Sequence, residues 1–179
     1  MDISDWIYRF HHLATSGATV LDLACGKGRH GRFFLEKNCQ VDFLDRDLSG
    51  VADLKHVSHA TLLQQDLENG DPLCLLKTHY DMIVVTNYLH RPLFDHLMSY
   101  LKKDGFLLYE TFALGNEFFG RPRNPNFLLK PNELFKTFQK GNHIVAFEQG
   151  QLGDKVIQRL CVQKGNRQNQ PIPITLSAK

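Results

Sequence analysis

Three aspartates recur at the ends of successive short apolar runs: Asp22 in Val20-Leu21-Asp22-Leu23-Ala24, Asp45 closing Val41-Asp42-Phe43-Leu44-Asp45, and Asp66 closing Thr61-Leu62-Leu63-Gln64-Gln65-Asp66. A carboxylate is costly to desolvate unless it meets a cation or several donors, so such a row points to a ligand that brings both. An ammonium together with ribose hydroxyls does so. Directly after the first run, Cys25-Gly26-Lys27-Gly28-Arg29-His30-Gly31 forms a glycine-rich turn that opens a helix. Glycines at 26 and 28 remove side chains that would keep a ligand from the backbone amides, and the helix start offers unpaired N–H groups and a positive dipole end. Chemistry of this kind suits a nucleoside-bearing ligand held against residues 26 to 28.

The elements that position these groups follow from periodicity. Four runs of strand character, Thr19 to Ala24, Gln40 to Leu44, Ala60 to Gln65 and Met82 to Thr86, alternate with helical or turn segments, which predicts a parallel sheet with crossover connections. In such a sheet the carboxyl ends of the strands line the ligand crevice. Helices are expected over residues 4 to 14, Gly28 to Lys37, Leu48 to Val57, Pro92 to Leu101 and Pro131 to Gln139. A fifth strand, Phe106 to Thr111, precedes the irregular stretch Phe112 to Leu129, too long for an idle connection and so a candidate lid. His143 to Glu148 and Lys155 to Gln163 predict a closing antiparallel hairpin turning through Gly150 to Asp154. Residues 1–165 make one domain in this reading, and the polar, aperiodic 166–179 a loosely docked tail.

Composition narrows the function classes. At 179 residues, 42% hydrophobic and with 13 Phe, the chain supports one sizeable core. A net charge of +2 gives no overall field for a polyanion, so nucleic acid is not the expected partner. Cys25, Cys39, Cys74 and Cys161 show neither CxxC pairs nor a secreted disulfide pattern, which implies reduced thiols and a cytoplasmic setting. The acidic start Met1-Asp2-Ile3-Ser4-Asp5 is unlike a signal peptide, and no apolar run nears the ~18 residues of a membrane span.

The segment Asp22-Leu23-Ala24-Cys25-Gly26-Lys27-Gly28, with Asp45 and Asp66 at the following strand ends, resembles class I S-adenosylmethionine-dependent methyltransferases over roughly residues 15 to 165. Together with Gly120-Arg121-Pro122-Arg123-Asn124-Pro125, the pattern is similar to the small bacterial enzymes of tellurite-resistance type. The resemblance implies a Rossmann-like α/β fold: a seven-stranded, mostly parallel sheet with one antiparallel strand and helices on both faces. It implies S-adenosyl-L-methionine as cofactor and in-line methyl transfer to a small-molecule acceptor, in a monomer or homodimer. The implied cofactor set is Asp22, Ala24, Cys25, Gly26, Gly28, His30, Asp45, Arg46, Asp66, Leu67, Asn87 and Leu89. Within it Asp22 approaches the cofactor's ammonium, Asp45 takes both ribose hydroxyls, and Asp66 takes the adenine amino group with Leu67 over the ring. The segment Thr86-Asn87-Tyr88-Leu89-His90 flanks the reacting centre and departs from the Asn/Asp-Pro-Pro-Tyr/Phe signature, which argues against methylation of base amino groups. If the acceptor must lose a proton, His90 is the first choice of base, with Tyr88 and then Glu110 behind it.

Rival readings exist for each feature. Gly26, Gly28 and Gly31 also spell GxGxxG with Asp45 downstream, the dinucleotide fingerprint of an NAD(P)-binding oxidoreductase, but Asp22 beside the glycines would repel a pyrophosphate. An RNA or protein methyltransferase would need a basic strip, for which Lys27, Arg121, Arg123 and Lys130 are the candidates. Asp45 and Asp66 could also serve as a cap and a turn former. Arg121 and Arg123 suit an anionic acceptor. His56 and His59 have HxxH spacing without further ligands, so no metal site is expected. Cys25 reads as a packing residue and not a nucleophile.

Overall fold

In a computed structural model of the chain, the described residues are 3–71, 73, 75, 79–165 and 171–174. Seven strands form one sheet: β1 (Thr19–Leu23), β2 (Gln40–Asp45), β3 (Ala60–Gln64), β4 (Tyr80–Thr86), β5 (Leu101–Phe112), β6 (His143–Leu152) and β7 (Lys155–Gln163). Their order is β3-β2-β1-β4-β5-β7-β6, with β1 to β5 parallel and β7 antiparallel to both neighbours. The expected seven strands and single antiparallel member are therefore present. Helices α1 (Asp5–Phe10), α2 (Arg29–Glu36), α3 (Phe94–Leu97) and α4 (Glu133–Phe138) complete the fold with several 3-10 turns.

Alternation along the strands divides the core into two layers. Val20, Val41, Phe43, Met82, Val84 and Leu108 face one side, where they meet Trp6, Ile7 and Phe10 of α1 and Phe34 of α2. Leu21, Leu23, Ile83, Val85, Leu107 and Tyr109 face the other, against Phe94 and Leu97 of α3 and Leu134 and Phe138 of α4. With both faces covered, the central strands read as nearly continuous apolar runs. Ser4 starts α1 by accepting from Trp6 N at 3.1 Å, and the Trp6 indole donates to Leu160 O at 3.3 Å, which pins α1 to β7.

Several elements depart from the sequence reading. The helix expected at Leu48 to Val57 is a 3-10 helix, Ser49–His56, and Pro92 to Leu101 yields only the four-residue α3 after a 3-10 turn at Arg91–Leu93. β5 begins at Leu101, because Lys102 to Gly105 bulge within the strand where pairing jumps from Tyr80↔Leu101 to Met82↔Phe106. The hairpin strands run to Leu152 and from Lys155, leaving a two-residue turn, Gly153-Asp154. Of the tail, residues 171–174 are described: Ile172 packs on the α1 layer and His12 Nε2 lies 3.1 Å from Pro173 O. Cys74, the remaining tail and Met1 to Asp2 fall outside the described residues.

Candidate active site at the carboxyl edge of the sheet

The chain winds outward in opposite directions from β1 and β4, so the carboxyl ends of these adjacent strands bound a crevice at the point where the strand order reverses. Two non-glycine residues adopt left-handed backbone there: Ala24, which follows β1, at φ 55°, and Asn87, which follows β4, at φ 54°. Side chains disfavour that region, and residues held in it cluster at functional sites. Neighbouring strands hold both: Cys25 N donates to Leu44 O at 3.0 Å, and Asn87 N to Glu110 O at 2.9 Å.

The glycines of the turn do different work. A Cβ on Gly26 would meet nothing within 4 Å, whereas one on Gly28 would lie 2.6 Å from Val51 Cγ1 and one on Gly31 would lie 2.2 Å from Phe43 Cε1. Gly28 and Gly31 are small so that α2 can lie against β2, and only Gly26 faces open space. Arg32 closes the turn from outside, with paired bonds of 2.6 and 2.7 Å to Asp53 and further bonds to Lys27 O and Gly50 O. It is thus an ion-paired staple and not a free solvated charge.

A cavity of about 440 Å³, within the roughly 300–1,000 Å³ of small-molecule sites, occupies this edge. Ala24 lines it from just after β1, Asp45 and Arg46 from the end of β2, Gln65 to Glu68 from the loop after β3, and Asn87 and Tyr88 from just after β4, with Phe127 reaching in from the long loop. Asp45 accepts from Gly26 N at 2.8 Å through Oδ2 and from Asp47 N at 3.1 Å through Oδ1, which fixes its carboxylate while leaving acceptor capacity on both oxygens. Asp66 accepts from Glu68 N at 2.9 Å, so it forms the turn and lines the cavity at once. Gln64 Nε2 donates to Arg46 O at 3.0 Å, tying the β2 loop to β3. Asp45, Asp66 and Glu68 against Arg46 leave the lining net negative. Burial, followed by Glu68, Asp66 and Asp45, pushes the Tyr88 phenol upward, so at neutral pH it stays protonated. A second cavity, about 210 Å³, shares Glu68, Asn87, Tyr88 and Phe127 with the first and is completed by Leu89, Thr111, Phe112 and Pro122.

Of the residues singled out from sequence, Ala24, Asp45, Arg46, Asp66, Leu67, Asn87 and Tyr88 meet around the main cavity. Asp22, Cys25, Gly26, Gly28 and His30 do not line it. Asp22 is 2% exposed and accepts from Gly31 N at 2.8 Å; burial raises its carboxyl to about 7 against the lowering effects of that bond and of Arg29. Cys25 is buried, and desolvation with the charges of Asp22 and Asp45 raises its thiol, in keeping with a packing role. His30, 2% exposed, accepts from Ser4 N at 3.3 Å and lies 3.3 Å from Thr86 Oγ1, beneath the N-terminal segment. His90 does not line the main cavity but opens onto a depression with Leu67, His96 and Tyr100, which adjoins it through Leu67. Arg121 and Arg123 are exposed and line neither cavity. Glu110 is buried and engaged by Ser4 Oγ at 3.1 Å and Arg159 at 2.8 Å, a structural role. Gln65, Glu68 and Phe127 were not anticipated; Gln65 closed the Ala60 to Gln65 run and Glu68 stood in view within Asp66-Leu67-Glu68, while Phe127 sits in a segment with no periodic signal. Among the described residues no group of three or more His, Cys, Asp or Glu is placed to hold a metal.

The architecture is that of the class I methyltransferase-type Rossmann-like fold. TehB from Haemophilus influenzae superimposes with a TM-score of 0.70 at 17% identity, covering 89% of this chain and 61% of that one. The 1,6-didemethyltoxoflavin-N1-methyltransferase of Burkholderia thailandensis, whose structure holds 1,6-didemethyltoxoflavin and S-adenosylhomocysteine, gives 0.67 at 16% identity over 90% of this chain and 77% of that one. In sequence, malonyl-[acyl-carrier protein] O-methyltransferase 2 of Ilyobacter polytropus is 29% identical over 105 residues, 52% of this chain. That match spans 39% of the relative's length. No family model matches the chain.

Proposed function

We propose that the chain is an S-adenosylmethionine-dependent methyltransferase acting on a small-molecule acceptor. The observation that carries this is the convergence of Asp45, Asp66 and the left-handed Ala24 and Asn87 on one cavity at the strand-order reversal. S-adenosylmethionine, when bound, supplies a methyl group already activated by its positive sulfur. Asp45 fits the ribose diol because its two oriented oxygens accept together. Asp66 fits the adenine amino group with Leu67 against the ring, and Gly26 leaves room for the methionine part. Asp22 stands behind the turn, where it anchors Gly31 N and places negative charge on the side assigned to the ammonium. Arg46 fits as a lid on the solvent side of the nucleoside. The chain's remaining tasks are alignment and exclusion of water, which in-line displacement chiefly requires. Tyr88, protonated and tied by Tyr109 Oη donating to its carbonyl at 2.9 Å, serves as a donor and fixed wall, not a base.

The net negative lining opposes a dinucleotide pyrophosphate, which would face Asp45, Asp66 and Glu68 with Arg46 as counter-charge. Support for a small acceptor comes from the modest size of the second cavity, about 210 Å³, and from the toxoflavin-type ligand of the Burkholderia neighbour. A bacterial, cytoplasmic protein, monomeric or homodimeric, accords with the bacterial neighbours and with reduced, buried Cys25, Cys39 and Cys161; no helix among the described residues is long and apolar enough to cross a membrane. Thermal-shift titration with S-adenosylhomocysteine, NAD and NADP tests the cofactor. At 100-fold over Kd the right ligand adds about 2.7 kcal/mol. Stabilisation by S-adenosylhomocysteine alone is expected, and a response to NAD or NADP instead would sink the reading.

A further inference from the structure

The two cavities are contiguous, sharing Glu68, Asn87, Tyr88 and Phe127, yet they differ in character. Carboxylates dominate the larger. The smaller is walled by the rings of Tyr88, Phe112 and Phe127 with Leu89 and Pro122, and among the described residues Glu68 is the one charged group in its lining. Its volume of about 210 Å³ corresponds to roughly seven waters, the space of a single ring with one short substituent. Arg121 and Arg123, although they flank Pro122 in sequence, stay outside it. An anion would therefore meet like charge and no counter-ion. A cation would meet Glu68 and three aromatic rings, whose faces attract positive charge.

Building on the methyltransferase reading, we propose that the smaller cavity is the acceptor subsite and that it selects a small ring carrying an amine, held by Glu68. The ring lies among Phe112, Phe127 and Tyr88, and the nitrogen is directed to the boundary with the larger cavity, where Glu68 and Asn87 belong to both linings. The amine arrives protonated and surrenders that proton to Glu68, which passes it to solvent because it is exposed. The freed lone pair on nitrogen then forms the N–CH3 bond as the methyl–sulfur bond breaks and its electron pair stays on sulfur. The product leaves as the methylated ammonium, so charge and protons balance. Oxyanion acceptors are excluded by the same electrostatics.

The test is a calorimetric titration of the chain, with and without saturating S-adenosylhomocysteine, using benzylamine, benzyl alcohol and benzoate as size-matched probes. Benzylamine is expected to bind about tenfold more tightly than the alcohol, with benzoate weakest, and Glu68→Gln to erase the amine's advantage. Phe112→Ala, which alters the smaller cavity alone, should weaken all three probes while preserving their order. Benzoate binding as tightly as benzylamine, an amine preference that survives Glu68→Gln, or indifference to Phe112→Ala would each overturn the assignment. Because the smaller cavity is built by the chain itself, the amine preference is expected without cofactor as well. Loss of S-adenosylhomocysteine binding with the probe order intact would refute the cofactor reading and leave the amine pocket standing.

Discussion

Asp22 offers a test in which fold and site pull against each other. Its carboxyl is buried beneath α2 and raised from 3.8 to about 7, burial outweighing the Gly31 N–H bond and the Arg29 charge. Between those two values the folded protein holds a proton that the unfolded chain has already released. Stability therefore falls as pH rises through that window and levels off above pH 7. At about 1.36 kcal/mol for each pH unit crossed, the full penalty reaches roughly 4 kcal/mol, a large part of a typical domain's stability. Asp22→Asn removes the titration and keeps an oxygen to accept from Gly31 N. Urea unfolding of both proteins without ligand, at pH 5 and pH 7.5, isolates the effect from other titrating groups. The variant should be the more stable at both, and its advantage should grow by roughly 2–3 kcal/mol between them. An advantage that stays constant with pH, or an outright loss of stability, would refute the claim that an ionised carboxylate is held there at a cost. Retention of so expensive a group is the pattern expected where function and not stability fixes the residue.

Other perturbations read separate parts of the site. Asp45→Ala should weaken S-adenosylhomocysteine binding by about 10- to 100-fold in calorimetry while the circular dichroism of the fold persists, since it removes charged acceptors and frees Gly26 N; unchanged affinity would remove the ribose assignment. Gly31→Ala places a Cβ 2.2 Å from Phe43 Cε1 and should cost about 1–3 kcal/mol in urea unfolding, part of which Phe43→Leu in the same chain should recover. Arg91 donates to Asn126 O at 2.7 Å, to Leu128 O at 2.9 Å and to Glu133 at 2.6 Å, so it clamps the base of the long loop. Arg91→Met should cost about 1–3 kcal/mol and speed proteolytic cleavage between Leu114 and Phe127, and an unchanged digestion pattern would count against the clamp.

Strands were the most legible part of the chain because their evidence is local. Each central strand is covered on both faces, so each stands out as a largely apolar run, and in β2 the closing Asp45 marks where the sheet edge begins. Helices were less legible for a physical reason. Ser49–His56 carries its buried residues Val51 and Leu54 three apart, a spacing that suits either an α-helix or a 3-10 helix, and Phe94–Leu97 is a single turn, too short to show a period. The bulge at Lys102 to Gly105 hid the start of β5 for a similar reason. Asp104 takes φ 64° inside a strand, a conformation that reads locally as a turn.

The site divides along the same line. Asp45 and Asp66 end their runs and reach the cavity, whereas Asp22 precedes the end of its strand by one residue, and strand alternation sends it under α2. The three aspartates look equivalent in sequence and are not equivalent in space. The GxGxxG coincidence has a comparable explanation. Gly28 and Gly31 are required by the closeness of α2 to Phe43 and Val51, a demand set by helix-on-sheet packing whatever ligand lies above the turn. Glycine spacing therefore identifies the strand–turn–helix geometry, and the ligand class must be read from the charges that surround it. Here those charges are Asp45, Asp66 and Glu68, contributed by two other strand ends, and with them a cationic nucleoside suits the cavity and a pyrophosphate does not.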